Sequence, residues 1–347
     1  MVTEHQGRPR LEDVAREAGV SPSTASRVLN GSARKVADTY RERVVAAASR
    51  IGYATNLAAQ ATARGHYPAV GLVVGDIRDN FFGRVTAGVL EEAARHGLPV
   101  NLFSAQGDPE RERALVDQLR RQRPQHLVLV RKRDTSATAD SALLSILRDF
   151  EREGGHVVVV GETGHAFTTV EPPDVAGGRA LAKSLVGLGY RSCAAFVRDT
   201  EIGSSRDRLD GLRIVLSAAG IALADDRVIR AEQSVVGGIR AAAELLRRCG
   251  RDGLPEVVIG LEDALAYGAV EEFRRNGIEV PGDIAVAGYG GRDLERDTEA
   301  GRLLTTVVSP LEEMGRIAVL RCIDPTTAPV ALPEPEVLVG PSTPART

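Results

Sequence analysis

Between Leu11 and Gly31 the chain reads LEDVAREAGVSPSTASRVLNG, a pattern that few folds accept. Leu11, Val14, Ala15 and Ala18 recur at i, i+3, i+4 and i+7, which gives one helix a single apolar stripe. Gly19 supplies a turn that tolerates left-handed backbone, and Val20 plugs the corner behind it. Ser21 suits the N-cap of a second helix, and Pro22 its first turn, where a missing N–H does no harm. Ala25, Val28 and Leu29 then face inward, leaving Pro22, Ser23, Thr24, Ser26 and Arg27 on the outer surface. The spacing predicts a helix-turn-helix whose second helix is short enough to enter a DNA major groove. Asn30-Gly31 ends that helix, and Val44, Ala47, Ala48, Ile51 and Tyr53 define a third.

Charge is distributed to match. The first 65 residues hold ten Lys and Arg against six Asp and Glu, whereas the remainder holds 34 against 41. A small basic head on an acidic body suits DNA binding by the head with little sticking elsewhere. With 347 residues, 43% of them apolar, the chain has room for two or three domains with real cores. Cys193, Cys249 and Cys322 are scattered without metal spacing and read as buried, reduced thiols of a cytoplasmic protein. The first ten residues are polar, and no apolar run approaches a membrane span, so no membrane partner is expected. Catalysis is not expected either. The histidines at 5, 66, 96, 126, 156 and 165 are dispersed, and no serine sits in a nucleophile elbow. Gly177-Gly178 and Gly237-Gly238 open helices but lack a phosphate-loop pattern, so no cofactor is expected.

Beyond Tyr53 comes an Ala-rich stretch, Asn56 to His66, too short to be a stable helix alone in water. From Ala69 apolar runs such as AVGLVVGD, HLVLVR, HVVVVG, CAAFVRD, EVVIG and DIAVAGY alternate with amphipathic helices. That alternation predicts parallel sheets covered on both faces, in two Rossmann-like halves. A ligand would lie between the halves, at the carboxyl ends of the strands.

The N-terminal run, with TYRERVVAAASRIGYATN after it, resembles the DNA-binding domain of the lactose-repressor (LacI/GalR) family of bacterial transcription regulators. DIRDNFFGRVTAGVLEEAARHG, GDPERERALVDQL, SSRDRLDGLR, EDALAYGAVEEFRRNGIEVPGDIAVAGY and LLTTVVSPLEEMGR resemble later family segments in the same order. The resemblance implies an all-α helix-turn-helix head (residues 1–55), a hinge helix (56–67) and a periplasmic-binding-protein-like effector domain (68–345). Its first half would span about 68–170 and 298–323, its second about 171–297 and 324–345. It further implies a homodimer, joined partly through the helix from Phe82 to His96, that binds a pseudo-palindromic operator of double-stranded DNA. The implied activity is ligand-controlled transcriptional regulation, most simply repression, with an effector-independent regulator or activator as the alternative. A stand-alone binding protein would share the body but has no use for the head.

Residue roles follow by position. Arg27 matches a bidentate guanine reader; Pro22, Ser23 and Thr24 match base-reading positions, with Ser26 on the same face. Ser21 and Asn30 match phosphate contacts. In the hinge, Asn56 keeps the family asparagine, but Thr62 stands where an apolar leucine usually wedges between base pairs, which predicts a weaker kink. For the effector, Asn80 and Phe81 follow the first strand, Arg208 matches a hydrogen-bonding arginine, and Asp263 matches an acceptor for ligand hydroxyls or amines. Phe82 is expected in the core. Gly161, Glu262, Gly290-Gly291 and Pro173-Asp174 depart from the usual acceptors, and Glu162 and Glu262 suggest a sugar-like ligand that bears an amine. The proline-rich tail PEPEVLVGPSTPART cannot form a tetramerising heptad helix, which favours a dimer.

Overall fold

Three short helices build the head, each stopped by a local device. α1 (Leu11–Ala18) begins where the Asp13 carboxylate accepts the Arg10 backbone N–H at 2.9 Å, and it ends at Gly19, whose φ of 62° is left-handed. Arg43 covers that end by donating from Nη2 to the Ala18 carbonyl at 2.6 Å. α2 (Pro22–Leu29) is capped by Ser21, whose Oγ accepts from the Thr24 N–H at 3.1 Å. α3 (Asp38–Arg50) closes the bundle, and Val14, Ala15, Ala18, Ala25, Val28, Val44, Ala47 and Ala48 form its buried core. The computed structural model describes residues 9–29, 37–53, 66–132, 140–161, 167–199, 203–291, 304–326 and 330–346. Contacts divide the chain into two units, one holding the head (Met1–Tyr67 with Gln122–Gln125), the other Pro68–Arg121 and His126–Thr347.

The larger unit contains two parallel sheets. The first has the order β2-β1-β3-β4-β5, from β1 (Tyr67–Val74), β2 (Val100–Ser104), β3 (Pro124–Val130), β4 (His156–Val160) and β5 (Thr168–Val170). The second has the order β7-β6-β8-β9, from β6 (Cys193–Arg198), β7 (Val228–Ala231), β8 (Val257–Gly260) and β9 (Ala285–Ala287). Their central strands are apolar on both faces because helices cover both. Those helices are α4 (Asn80–Arg95), α5 (Pro109–Gln122), α6 (Ser141–Arg152), α7 (Asp174–Gly187), α8 (Gly203–Ala218), α9 (Val235–Cys249), α10 (Asp263–Arg275) and α11 (Leu311–Ile323). Phe82 is buried in the core of the first half, as expected.

Glycines set how closely three helix pairs pack. A Cβ on Gly88 of α4 would lie 1.9 Å from the Glu312 carbonyl oxygen, and one on Gly315 of α11 would lie 2.1 Å from that of Val85. Gly178 meets Gly211 between α7 and α8, and Gly238 meets Gly268 between α9 and α10, in the same way. Backbone cannot yield as a flexible side chain does, so Gly88→Ala should cost about 1–3 kcal/mol. Urea denaturation of the pure variant checks this, and an unchanged midpoint and slope would show that the helices separate freely.

The described chain resumes at Leu304 beside the second sheet. Thr305 still bridges to Ala287, and β10 (Thr306–Val308) pairs antiparallel with β11 (Glu336–Leu338) beside the second sheet. Only at Ser309-Pro310 does the chain leave for α11, which packs on α4 and β4 of the first half. A β-branched run, Thr305 to Val308, suits a strand and keeps the chain at that edge. Cys193 and Cys322 are buried, and burial pushes the Cys193 thiol up to about 11. Cys249 is only half-buried, since it ends α9 and its Sγ donates back to the Leu245 carbonyl at 2.9 Å.

Candidate functional site

On α2 the outward side chains form a polar row. Ser21, Pro22, Ser23 and Arg27 are exposed and Thr24 and Ser26 half-buried, while Ala25 and Val28 point into the core. Ser21 Oγ shares hydrogen bonds with Ser23 Oγ at 2.9 Å and Thr24 Oγ1 at 2.8 Å, which orders the hydroxyls at the helix start. Arg27 has no acidic partner among the described residues. Two other head arginines differ: Arg16 pairs with Asp13 at 2.9 Å and Arg50 with Glu17 at 2.5 Å. Asn30, Asn56 and Thr62 lie outside the described residues.

In the larger unit a cavity of about 750 Å³ opens between the two sheets, at the carboxyl ends of their strands. Asn80, Phe81, Arg208 and Asp263 all line it. Asn80 starts α4, and its Nδ2 donates to the Gly290 carbonyl at 3.4 Å, so one side chain spans the halves. Asp79 caps the same helix through the Phe81 N–H and also accepts from Lys132 Nζ at 2.6 Å. Phe81 packs edge-on to Phe82 with ring centroids 5.3 Å apart.

Arg208 is the most heavily engaged group. Its Nε donates to Asp174 Oδ1 at 2.8 Å, and its Nη1 to the Leu261 carbonyl at 2.9 Å and Glu262 Oε1 at 3.0 Å. The guanidinium lies over the Tyr289 ring, 4.1 Å from its centroid. Burial alone would lower the Arg208 pKa, but the flanking Asp174 and Glu262 raise it, so the side chain stays charged. Burial likewise raises the Tyr289 phenol, whose hydroxyl reaches Asp174 Oδ1 at 3.4 Å. Asp263 begins α10 and is buried, with Oδ1 accepting from Thr306 Oγ1 at 2.6 Å.

Two sequence expectations change here. Glu262 is matched by Arg208, so it is not an unspent anion waiting for a ligand amine. Glu162, the other acid behind that idea, lies outside the described residues. Asp174 looked like a broken motif, yet it is the principal acceptor for Arg208. Its position at the first turn of α7, right after the crossing into the second half, was the available signal. Thr306 and Tyr289 carried no sequence signal of a site role. Among the described residues no cluster of three or more His, Cys, Asp or Glu is arranged to hold a metal ion. No described helix is long and apolar enough to cross a membrane.

A capped helix-turn-helix and a two-lobed unit with a polar interlobe cleft together define a DNA-binding regulator that carries a ligand-binding domain. Comparison with known proteins agrees. Residues 10–56 match the model of bacterial regulatory proteins of the lacI family, and residues 182–346 match a periplasmic binding protein-like domain. The transcriptional regulator GalS of Salmonella typhimurium is 32% identical over 310 residues, covering 89% of this chain and 87% of GalS. The regulator CelR of Thermobifida fusca is 30% identical over 343 residues, covering 95% and 96% respectively. The lac repressor dimer bound to operator and the anti-inducer ONPF is similar in fold, with a TM-score of 0.78 at 23% identity, covering 98% of this chain and all of that one. A CelR–cellobiose complex aligns with a TM-score of 0.66 at 28% identity, covering 96% and 100%. The chain belongs to the lacI family of bacterial transcriptional regulators.

Proposed function

We propose that this protein is a homodimeric, cytoplasmic repressor that binds a pseudo-palindromic operator and is released or recruited by a small sugar-like metabolite in the interlobe cleft. The observation that carries the reading is the cleft itself, whose walls come from both halves and whose polar groups are already fixed by protein partners. A ligand that bridges those walls prefers one arrangement of the halves, and such differential affinity is what control requires. The operator would be read by Arg27, Pro22, Ser23, Thr24 and Ser26, with Ser21 and Asn30 on phosphates and Asn56 and Thr62 at the hinge. The effector would be met by Asn80, Phe81, Arg208 and Asp263. Residues 1–55, 56–67 and 68–345 serve as head, hinge and effector domain in this reading. Leu90 on α4 is 43% exposed, which supports that helix as part of the dimer contact.

Half-sites should lie one or two helical turns apart, within roughly 14–20 base pairs. Selection of bound fragments from random DNA tests the first claim, repeated with cellobiose, galactose and ribose added singly. A single enriched palindrome whose recovery changes with one of these sugars, or with another member of a wider metabolite pool, is the expected result. Enrichment indifferent to every metabolite would favour an effector-independent regulator instead.

A further inference from the structure

We infer that Thr306 is the positioning residue of the cleft: its hydroxyl fixes the Asp263 carboxylate and ties it to the strand that crosses to the first half. The inference rests on the reading of the cleft as the effector site. Thr306 is buried and never reaches the cavity wall, yet its Oγ1 lies 2.6 Å from Asp263 Oδ1. A carboxylate oxygen accepts, so the one hydroxyl proton of Thr306 goes to Asp263. The Gly291 N–H donates to the same Oγ1 at 3.2 Å, so the hydroxyl is engaged both as donor and as acceptor. A β-branched residue on a strand has little freedom at χ1, so the hydroxyl stays aimed.

Asp263 is held on two further sides. Its own N–H donates to the Tyr289 carbonyl at 2.9 Å. A Cβ on Gly288 would fall 2.1 Å from Oδ1, so the carboxylate lies in the space which that glycine leaves open. Three residues along from Thr306, Ser309 lines the same cavity as Tyr289. The segment from Thr306 to Ser309 therefore meets the cleft at two points, the Asp263 carboxylate and the cavity wall, immediately before Pro310 starts the entry into α11.

Its neighbour Thr305 anchors the segment on the opposite side. The Thr305 N–H donates to Ser342 Oγ at 2.8 Å, the Gly340 N–H donates to Thr305 Oγ1 at 2.8 Å, and Thr305 Oγ1 meets Thr343 Oγ1 at 2.5 Å. The proline-rich tail thus acts as a backstop for the strand. Two adjacent threonines face opposite ways: one grips the tail, the other the cleft aspartate.

The test compares full-length wild type, Thr306→Val and Thr306→Ser by ¹³C NMR of aspartate carboxyls against pH, with Asp263→Asn assigning the Asp263 signal. A hydrogen bond to the charged form lowers a carboxyl pKa, so Thr306→Val should raise the Asp263 midpoint by about one unit. Thr306→Ser should leave it near the wild-type value. Cellobiose is the ligand probe in a parallel calorimetric titration, where Thr306→Val should weaken any binding about tenfold while Thr306→Ser retains it. An Asp263 midpoint unmoved in Thr306→Val overturns the inference; should that variant not fold, Thr306→Ala is judged by the same criterion. If no metabolite binds the wild type, the effector reading fails, yet the carboxyl titration still decides the role of Thr306.

Discussion

Replacing Arg208 with methionine should destabilise the effector domain by about 3–5 kcal/mol at neutral pH, because it leaves buried carboxylates without their cation. Asp174 is 3% exposed and Glu262 half-buried, and both are bonded to the same guanidinium. Methionine fills much of the volume over Tyr289, so the loss is electrostatic more than steric. The pH dependence follows from the sign of the resulting shift. In the variant a buried, unpaired carboxylate has a folded pKa above its unfolded value of about 3.9. The variant binds more protons folded than unfolded between those two values, so its stability falls as pH rises through that window. The deficit relative to wild type should therefore be small near pH 4 and largest above neutrality. Thermal denaturation of both proteins at pH 5 and pH 8 reads this directly. A deficit that is equal at both, or greater at pH 5, would mean that Asp174 and Glu262 do not depend on Arg208. Effector binding should be lost along with stability, because the guanidinium is part of the cleft wall.

The head was almost wholly legible in the sequence, since its structure depends on neighbours in the chain. The stripe from Leu11 to Ala18, the left-handed Gly19 and the Ser21 cap each express a local rule, and all three hold. The central strands were legible for a similar reason: a strand buried on both faces needs a continuous apolar run, as in Leu127 to Val130 or Val157 to Val160. Three short elements, β5, β7 and β11, were not. β7 alternates half-buried, buried, exposed and buried over Val228 to Ala231, and β5 and β11 are three residues long, so neither periodicity nor length marks them.

The cleft was legible at one level only. Position along the family pattern brought Asn80, Phe81, Arg208 and Asp263 to one cavity. What the sequence leaves open is who pairs with whom. Arg208 and Asp174 lie 34 residues apart, and Arg208 and Glu262 lie 54 apart, so their mutual neutralisation exists only in three dimensions. Missing acceptors and extra glutamates suggested a positively charged ligand. Once Glu262 is matched with Arg208, it no longer argues for an amine over the hydroxyls of a neutral sugar. Gly290 and Gly291 likewise look like deletions of function in the sequence. In the structure they have φ of 135° and 54°, and they supply the carbonyl for Asn80 and the N–H for Thr306, tasks that their backbone performs without a side chain.

Arg27→Ala should cost about 1–3 kcal/mol of specific operator binding while sparing most affinity for random DNA. Its side chain is exposed in the last turn of α2, on the face opposite Ala25 and Val28, and no described residue neutralises it. Removal from such a surface changes folding by no more than about 0.5 kcal/mol, so a binding loss is not a folding loss. Two measurements separate base reading from charge alone. A guanine contact predicts that affinity falls for the selected operator and that discrimination at one base pair of each half-site relaxes. A phosphate contact predicts equal losses on all sequences and a salt dependence shallower by about one counterion. Titrations of the two proteins at several salt concentrations, on operator and on scrambled DNA, distinguish these patterns. The short hydroxyl side chains of Ser23 and Thr24 accept or donate to several bases, and Pro22 offers only apolar contact, so Arg27 is left as the side chain able to impose a strong preference. Parallel losses on operator and scrambled DNA would move the specificity of this head to the hydroxyl row.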